Sequence, residues 1–238
     1  MTKIEKNQKF SFKCHSEIAC FNSCCQDLNQ ILTPYDILRL KHHFKINSQQ
    51  FLETYTNQSI GPETGLPVIL LKTKSRTDLR CIFVEKKGCQ VYPDRPASCR
   101  YYPLARVTSR SRINGKISAS YMLLKEHHCV GHDYQTNSKI QKQTIDLWIK
   151  SQEIADYDKY NNIMLELIAA KNQNKIKDLS ENDRYLFFIC CYDIDNFRKY
   201  AYENKLLSQK QQSVQSIEDD IDLLNFSIKW LKEKYFKS

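Results

Sequence analysis

Apolar residues near the end of the chain recur at helical spacing. Ile217, Ile221, Leu224, Ile228 and Leu231 fall every three or four positions and share one face. Glu218, Asp219 and Asp220 open this stripe and Lys232, Lys234 and Lys237 close it, an order that complements the helix dipole. Earlier, Thr33-Pro34-Tyr35-Asp36 reads as a helix start, with an N-cap, a proline at the first position and an acid in the first turn. The helix should run to about Phe44, and Asn47 should begin a second, short one carrying Phe51, Leu52 and Tyr55. Residues 66–71 are an apolar run of strand length. Residues 81–92 read as a hairpin turning at Gly88. A second hairpin, with arms 104–112 and 116–124, is predicted around Asn114-Gly115, a dipeptide suited to a type I′ turn. Beyond about residue 135 the hairpin signals stop, and capping boxes at 138–141 and 180–183 precede apolar-periodic segments. The predicted class is α+β, with short helices and β-hairpins over residues 1–135 and a helical C-terminal region over 136–238.

Composition adds little to this picture, but charge adds something. The 238 residues carry a formal charge of +9. Residues 1–132 hold 20 Lys+Arg against 10 Asp+Glu, and residues 133–238 hold 16 against 17. The excess base therefore lies in the front half. Most of it reads as solvated surface charge; the rest could offset anionic ligands or attract an anionic partner. No apolar run approaches the roughly 18–20 residues that cross a bilayer, so no membrane partner is expected. The first nine residues are charged and lack the apolar core of a secretory signal. A cytoplasmic, reducing location is the expectation.

In that setting ten cysteines point to metal or redox chemistry, with disulfides as the competing reading. Eight fall in the front half: Cys14, Cys20, Cys24, Cys25, then Cys81, Cys89, Cys99 and Cys129. These are the candidate metal ligands, and residues 1–135 become a small cysteine-rich metal-binding domain. Eight ligands suffice for two four-ligand sites, or for one site with bystanders. Zinc sites usually show short Cys-x2–4-Cys knuckles in matched pairs. Cys20-x3-Cys24 resembles one knuckle, but Cys89-x9-Cys99 cannot be its partner. Irregular all-sulfur spacing suits an iron–sulfur cluster, for example of the 4Fe–4S type, so iron–sulfur is preferred over zinc. Cys24 and Cys25 are awkward as two ligands of one zinc if the chain is extended there, because successive side chains then diverge.

His15, His127, His128 and His132 flank Cys14 and Cys129; a histidine so placed more often supports a site than ligates metal. His42 and His43 read as surface positions on a helix. Cys190 and Cys191 lie in an apolar stretch and read as small buried hydrophobes.

Three stretches together carry a family likeness. Cys20-Phe-Asn-Ser-Cys24-Cys25, then Leu32-Thr-Pro-Tyr-Asp36, then Gly88-Cys-Gln-Val-Tyr-Pro-Asp-Arg-Pro-Ala-Ser-Cys-Arg-Tyr-Tyr-Pro103 resemble the bacterial and archaeal cysteine-cluster family. Its members are described as zinc- or iron-chelating or as containing iron–sulfur clusters, and include the flagellin lysine N-methylase. The resemblance covers roughly residues 14–132. It implies Cys20, Cys24, Cys25, Cys81, Cys89, Cys99 and Cys129 as ligands. The family's usual pattern is Cys-x3-Cys-x2-Cys-Cys, whereas here the spacings are x5, x3 and zero, which leaves Cys14 the least secure ligand. Pro96 and Pro103 should fix the backbone around Cys99. Arg95 and Arg100 should either favour its thiolate or pair with carboxylates such as Asp94.

Standard catalytic motifs are missing from the sequence. Five glycines form neither a Rossmann nor a P-loop phosphate cradle. The radical S-adenosylmethionine spacing fails because Asp27 stands where a third cysteine would. The primary expectation is a metal-binding protein. The methylase resemblance implies an alternative: a protein-lysine N-methyltransferase that binds S-adenosylmethionine, with a protein substrate such as flagellin. A basic, aromatic stretch including Tyr92, Arg95, Tyr101 and Arg106 has the ingredients for single-stranded nucleic acid but no accompanying motif, so nucleic acid is not the expected partner.

Overall fold

Short-range side-chain bonds decide where the helices begin. The Asp36 carboxylate accepts from the Thr33 amide at 2.8 Å while the Asp36 amide donates to the Thr33 hydroxyl, with Pro34 at the first helical position. Asn47 with Gln50 and Ser180 with Asp183 form the same reciprocal box. The computed structural model describes residues 1–132, 142–174, 179–206 and 220–236. The capping box at 138–141, Ile217, Glu218, Asp219 and Lys237 lie outside them.

The strands are β1 (Thr2–Ile4), β2 (Ile31–Leu32), β3 (Thr56–Ile60), β4 (Pro67–Leu71), β5 (Val84–Glu85), β6 (Gly88–Cys89), β7 (Leu104–Arg110) and β8 (Ile117–Leu123). The helices are α1 (Pro34–Phe44), α2 (Ser48–Tyr55), α3 (Ala97–Tyr101), α4 (Ile145–Ser151), α5 (Ala155–Gln173), α6 (Glu181–Cys191), α7 (Ile194–Glu203) and α8 (Asp220–Tyr235). The class is α+β with a helical C-terminal region. The chain divides into two compact units: Met1–Gln30 with Thr73–Lys159, and Ile31–Lys72 with Tyr160–Ser238.

In the first unit β1, β8 and β7 form an antiparallel sheet in that order. One face packs on a cluster of Ile4, Phe10, Tyr101, Leu104, Ile145 and Ile154, with Trp148 and Phe12 at its margin. The β7–β8 hairpin sits where the sequence places it, but its turn is not type I′. A type I′ turn needs positive φ at two successive residues. Here only Gly115 has it (φ 69), and the arms close through Ser111 and Lys116. Asn114 instead uses its side-chain oxygen to accept from the Lys116 amide, and the Ser111 hydroxyl accepts from the amides of Ile113 and Asn114. These local bonds satisfy a wider loop.

In the second unit β2, β4 and β3 form an antiparallel sheet, and α1, α2, α6, α7 and α8 supply the helical part. Leu223, Leu224, Ile228 and Leu231 bury the apolar face of α8. Cys190 and Cys191 are buried in α6, and the Ser227 hydroxyl donates to the Cys190 carbonyl at 2.6 Å. They are core residues of this unit, whereas the other eight cysteines belong to the first unit.

A buried ion cluster ties α1 to α7 and α8. The Lys41 ammonium contacts Asp195 at 2.7 Å and Asp220 at 2.5 Å. His42, expected as an ordinary surface residue, reaches Asp220 through Nε2 at 2.7 Å, and Arg198 also pairs with Asp220. Burial by itself would raise the pKa of Asp195 and of Asp220. Hydrogen bonds and the positive charge of Lys41, joined by Ser48 at Asp195 and His42 at Asp220, outweigh it and hold both carboxyls below their ordinary 3.8. A depressed folded-state pKa means the stabilisation is present at neutral pH and disappears as pH falls through the carboxylate range. Lys41→Met should therefore destabilise this unit by about 3 kcal/mol, as for a broken buried pair. Urea titrations should show the gap between wild type and variant shrinking as pH is lowered below about 4; a gap that is constant with pH would contradict the ionic origin.

Candidate metal centre

The first cysteine group is folded by a chain of tight turns. The amides of Phe21, Ser23 and Cys25 donate to the carbonyls of Ile18, Cys20 and Asn22 at 2.9–3.0 Å. Asn22 takes a left-handed conformation (φ 68) and leads into a single 3-10 turn, Ser23–Cys25. An asparagine tolerates that conformation better than most residues. The chain at Cys24 and Cys25 is thus coiled, not extended, and the two sulfurs share a hydrogen bond instead of diverging.

Main-chain bonds then bring distant cysteines to this loop. The Cys81 amide donates to the Cys25 carbonyl at 2.8 Å, and the Asp27 amide to the Leu79 carbonyl at 3.0 Å. The Asn22 side chain donates to the Glu85 carbonyl at 2.8 Å. In the β5–β6 hairpin Val84 faces Cys89, and Gly88 adopts φ 124, where a side chain is strained and would also press on the Phe21 ring at 3.3 Å. Cys99 lies in α3, with its sulfur 3.8 Å from the Gln30 amide oxygen. On another side, the Lys13 amide donates to the Gly131 carbonyl at 3.0 Å and the Val130 amide donates to the Cys20 sulfur at 3.4 Å. A Cβ at Gly131 would lie 2.9 Å from the Lys13 carbonyl oxygen, so this close approach requires glycine.

All ten cysteines are thiols without a disulfide. The eight front-half cysteines all lie in the first unit. Burial pushes Cys14 up to about 11, reinforced by Cys24, Cys20 and Cys129. Cys25 is raised foremost by its hydrogen bond to Cys24, then by burial and by Cys24, Cys99 and Cys81. The same bond lowers Cys24 to about 7 against the opposing effect of burial. Burial also raises Cys81 and Cys89, and Cys89 feels Cys81 and Cys24. The donor set is thus soft, sulfur-rich and mutually repulsive once ionised, which suits a cation that replaces the thiol protons. Among the described residues, no three Cys, His, Asp or Glu side chains stand together as a ready-made metal site. Binding would require the thiols to turn inward as they lose their protons. The histidines make other contacts: His15 with the Glu17 amide, His128 with Glu126, and His132 against the Phe12 ring.

Residues 13–130 match the family model CxxCxxCC, described as "Putative zinc- or iron-chelating domain". Residues 13–130 belong to that family. No curated protein and no solved structure matches the chain. A metal cofactor, zinc or iron, fits the CxxCxxCC segment.

The arginines of the segment's second motif act on its backbone. Arg100 is buried; it donates to the carbonyls of Arg95 at 3.1 Å, Gln152 at 2.8 Å and Pro93, and lies over the Tyr157 ring at 4.7 Å. Arg95 donates to the Tyr92 carbonyl at 2.6 Å and to the Gln152 side chain. Its guanidinium still interacts with Cys99 and Cys89. Two supporting residues escaped the sequence reading. The Tyr102 hydroxyl donates to Glu126 at 2.8 Å and is also hydrogen-bonded to Cys129, while burial keeps the phenol protonated. No motif spacing marks that pair. Part of the front-half positive charge lines a cavity of about 300 Å³ with Lys3, Lys9, Lys125 and His132.

Arg100→Met should leave three carbonyls without their donor and cost about 2–3 kcal/mol in urea unfolding. Arg100→Lys should recover little, because an ammonium cannot reproduce the planar fork. Full recovery by lysine would show that charge alone matters here.

Proposed function

We propose that this protein is an iron–sulfur protein whose front-half thiolates hold the cluster iron. The observation that carries the reading is the gathering of eight cysteine thiols, from stretches as far apart as residues 14 and 129, into one unit where their charges act on one another. Two further features support it. The ligating stretches are irregularly spaced turns and loops, which iron–sulfur clusters accept. One sulfur, Cys20, already accepts a backbone amide bond, the kind of contact that stabilises and tunes cluster-bound thiolates. When bound, the cluster supplies one-electron redox capacity. Its donors would come from among Cys14, Cys20, Cys24, Cys25, Cys81, Cys89, Cys99 and Cys129, with Asn22, Gln30, Tyr102 and Arg100 fixing the loops that carry them.

Protein purified without air should be brown and contain iron and acid-labile sulfide. Colourless protein with zinc would overturn the iron–sulfur reading. Structural metal can supply about 10–16 kcal/mol of apparent folding energy. Cys99→Ser should therefore lower metal content and thermal stability together, whereas Cys190→Ser should leave metal content unchanged.

A further inference from the structure

The geometry points to two four-thiolate centres in the first unit, one held by Cys14, Cys20, Cys24 and Cys129 and the other by Cys25, Cys81, Cys89 and Cys99, with the Cys24–Cys25 pair as the seam between them. This inference rests on the chelating role proposed above.

Main-chain connections define the partition. The chain at Lys13, next to Cys14, is tied to Gly131, two residues from Cys129, and the neighbouring Val130 amide donates to the Cys20 sulfur. The glycine at 131 permits that approach, since any Cβ would collide with the Lys13 carbonyl and the Phe12 ring. Nothing in this set of bonds involves residues 79–99. A separate ribbon ties Cys25 to Cys81 by a direct main-chain bond, flanked by the Gln26–Arg80 bridge and the Asp27–Leu79 bond. Three residues beyond Cys81 the β5–β6 hairpin begins and sets Cys89 opposite Val84, while Gln30, five residues past Cys25, meets Cys99. Main-chain ties thus link the stretches carrying Cys14, Cys20 and Cys129 to one another, and those carrying Cys25, Cys81, Cys89 and Cys99 to one another.

A four-cysteine shell is what either a tetrahedral zinc or a single iron–sulfur cluster requires, so eight donors divided four and four leave none over. Adjacent residues have Cα atoms about 3.8 Å apart, and the two centres would accordingly be close neighbours.

The test is metal stoichiometry on the full chain purified without air, for wild type, Cys129→Ser, Cys89→Ser and the double variant. Wild type should carry two centres per chain, each single variant about half the wild-type metal, and the double variant almost none. One centre per chain, or loss of all metal in either single variant, overturns the partition. Because a variant can also lose metal by misfolding, wild-type protein is treated with graded chelator and alkylated, and each cysteine is followed by mass spectrometry. The four cysteines of each set should lose protection together and the two sets at different chelator concentrations; simultaneous release of all eight overturns the inference. Failures are separable. Two zinc ions with the same halving would sink the iron–sulfur reading and keep the partition, iron and sulfide lost all at once would do the reverse, and wild-type protein without metal would sink both.

Discussion

Mutual repulsion among thiolates is the constraint around which the first unit is organised. The bond to Cys24, burial and neighbouring sulfurs raise Cys25, burial foremost raises Cys14, Cys81 and Cys89, and Cys24 is lowered because Cys25 keeps a proton for the pair. Such a group cannot ionise together without a compensating cation. The backbone can nevertheless be assembled in advance, because it is held by amide–carbonyl bonds and by the buried Arg100 fork, neither of which depends on sulfur ionisation. Placing the thiols, done by the main chain, is thus separate from ionising them, which a bound metal would do.

That separation explains the motif that carries Cys99. Arginines beside a cysteine invite an electrostatic reading, yet Arg100 spends its donors on two carbonyls of the surrounding loop, Arg95 and Pro93, and on that of Gln152 at the end of α4. The loop is thereby welded to the packed cluster of Tyr101, Ile145 and Ile154 beneath it. Arg95 does both jobs, bonding the Tyr92 carbonyl while its charge still reaches Cys89 and Cys99.

How much of this was legible followed the range of the interactions. The starts of α1 and α6 were readable because a capping box involves residues three apart. The ligand candidates were readable because sulfur chemistry belongs to the residue type. The hairpin at β7–β8 was placed correctly, but its turn was not, since the side chains of Ser111 and Asn114 competed for the backbone amides. Long-range partners were invisible. In the sequence residues 31–72 simply lie between two cysteine groups, and only tertiary packing reveals that they share a compact unit with Tyr160–Ser238. His42 is exposed, as the sequence suggests, but its partner Asp220 stands 178 residues away and could not be read from it. Tyr102 and Glu126 likewise become neighbours only when β7 and β8 pair.

The interleaving of the two units also has a temporal side. Cys25 leaves the ribosome well before Cys81, and roughly a hundred residues before Cys129. At synthesis rates of about 5–20 residues per second, the earliest thiols wait on the order of 5–20 s for their last companion. During that interval the nascent loop is a partial chelator, open to oxidants and to whichever soft cation is most abundant. Faithful loading then depends on the handling of an incomplete polypeptide as much as on the finished fold.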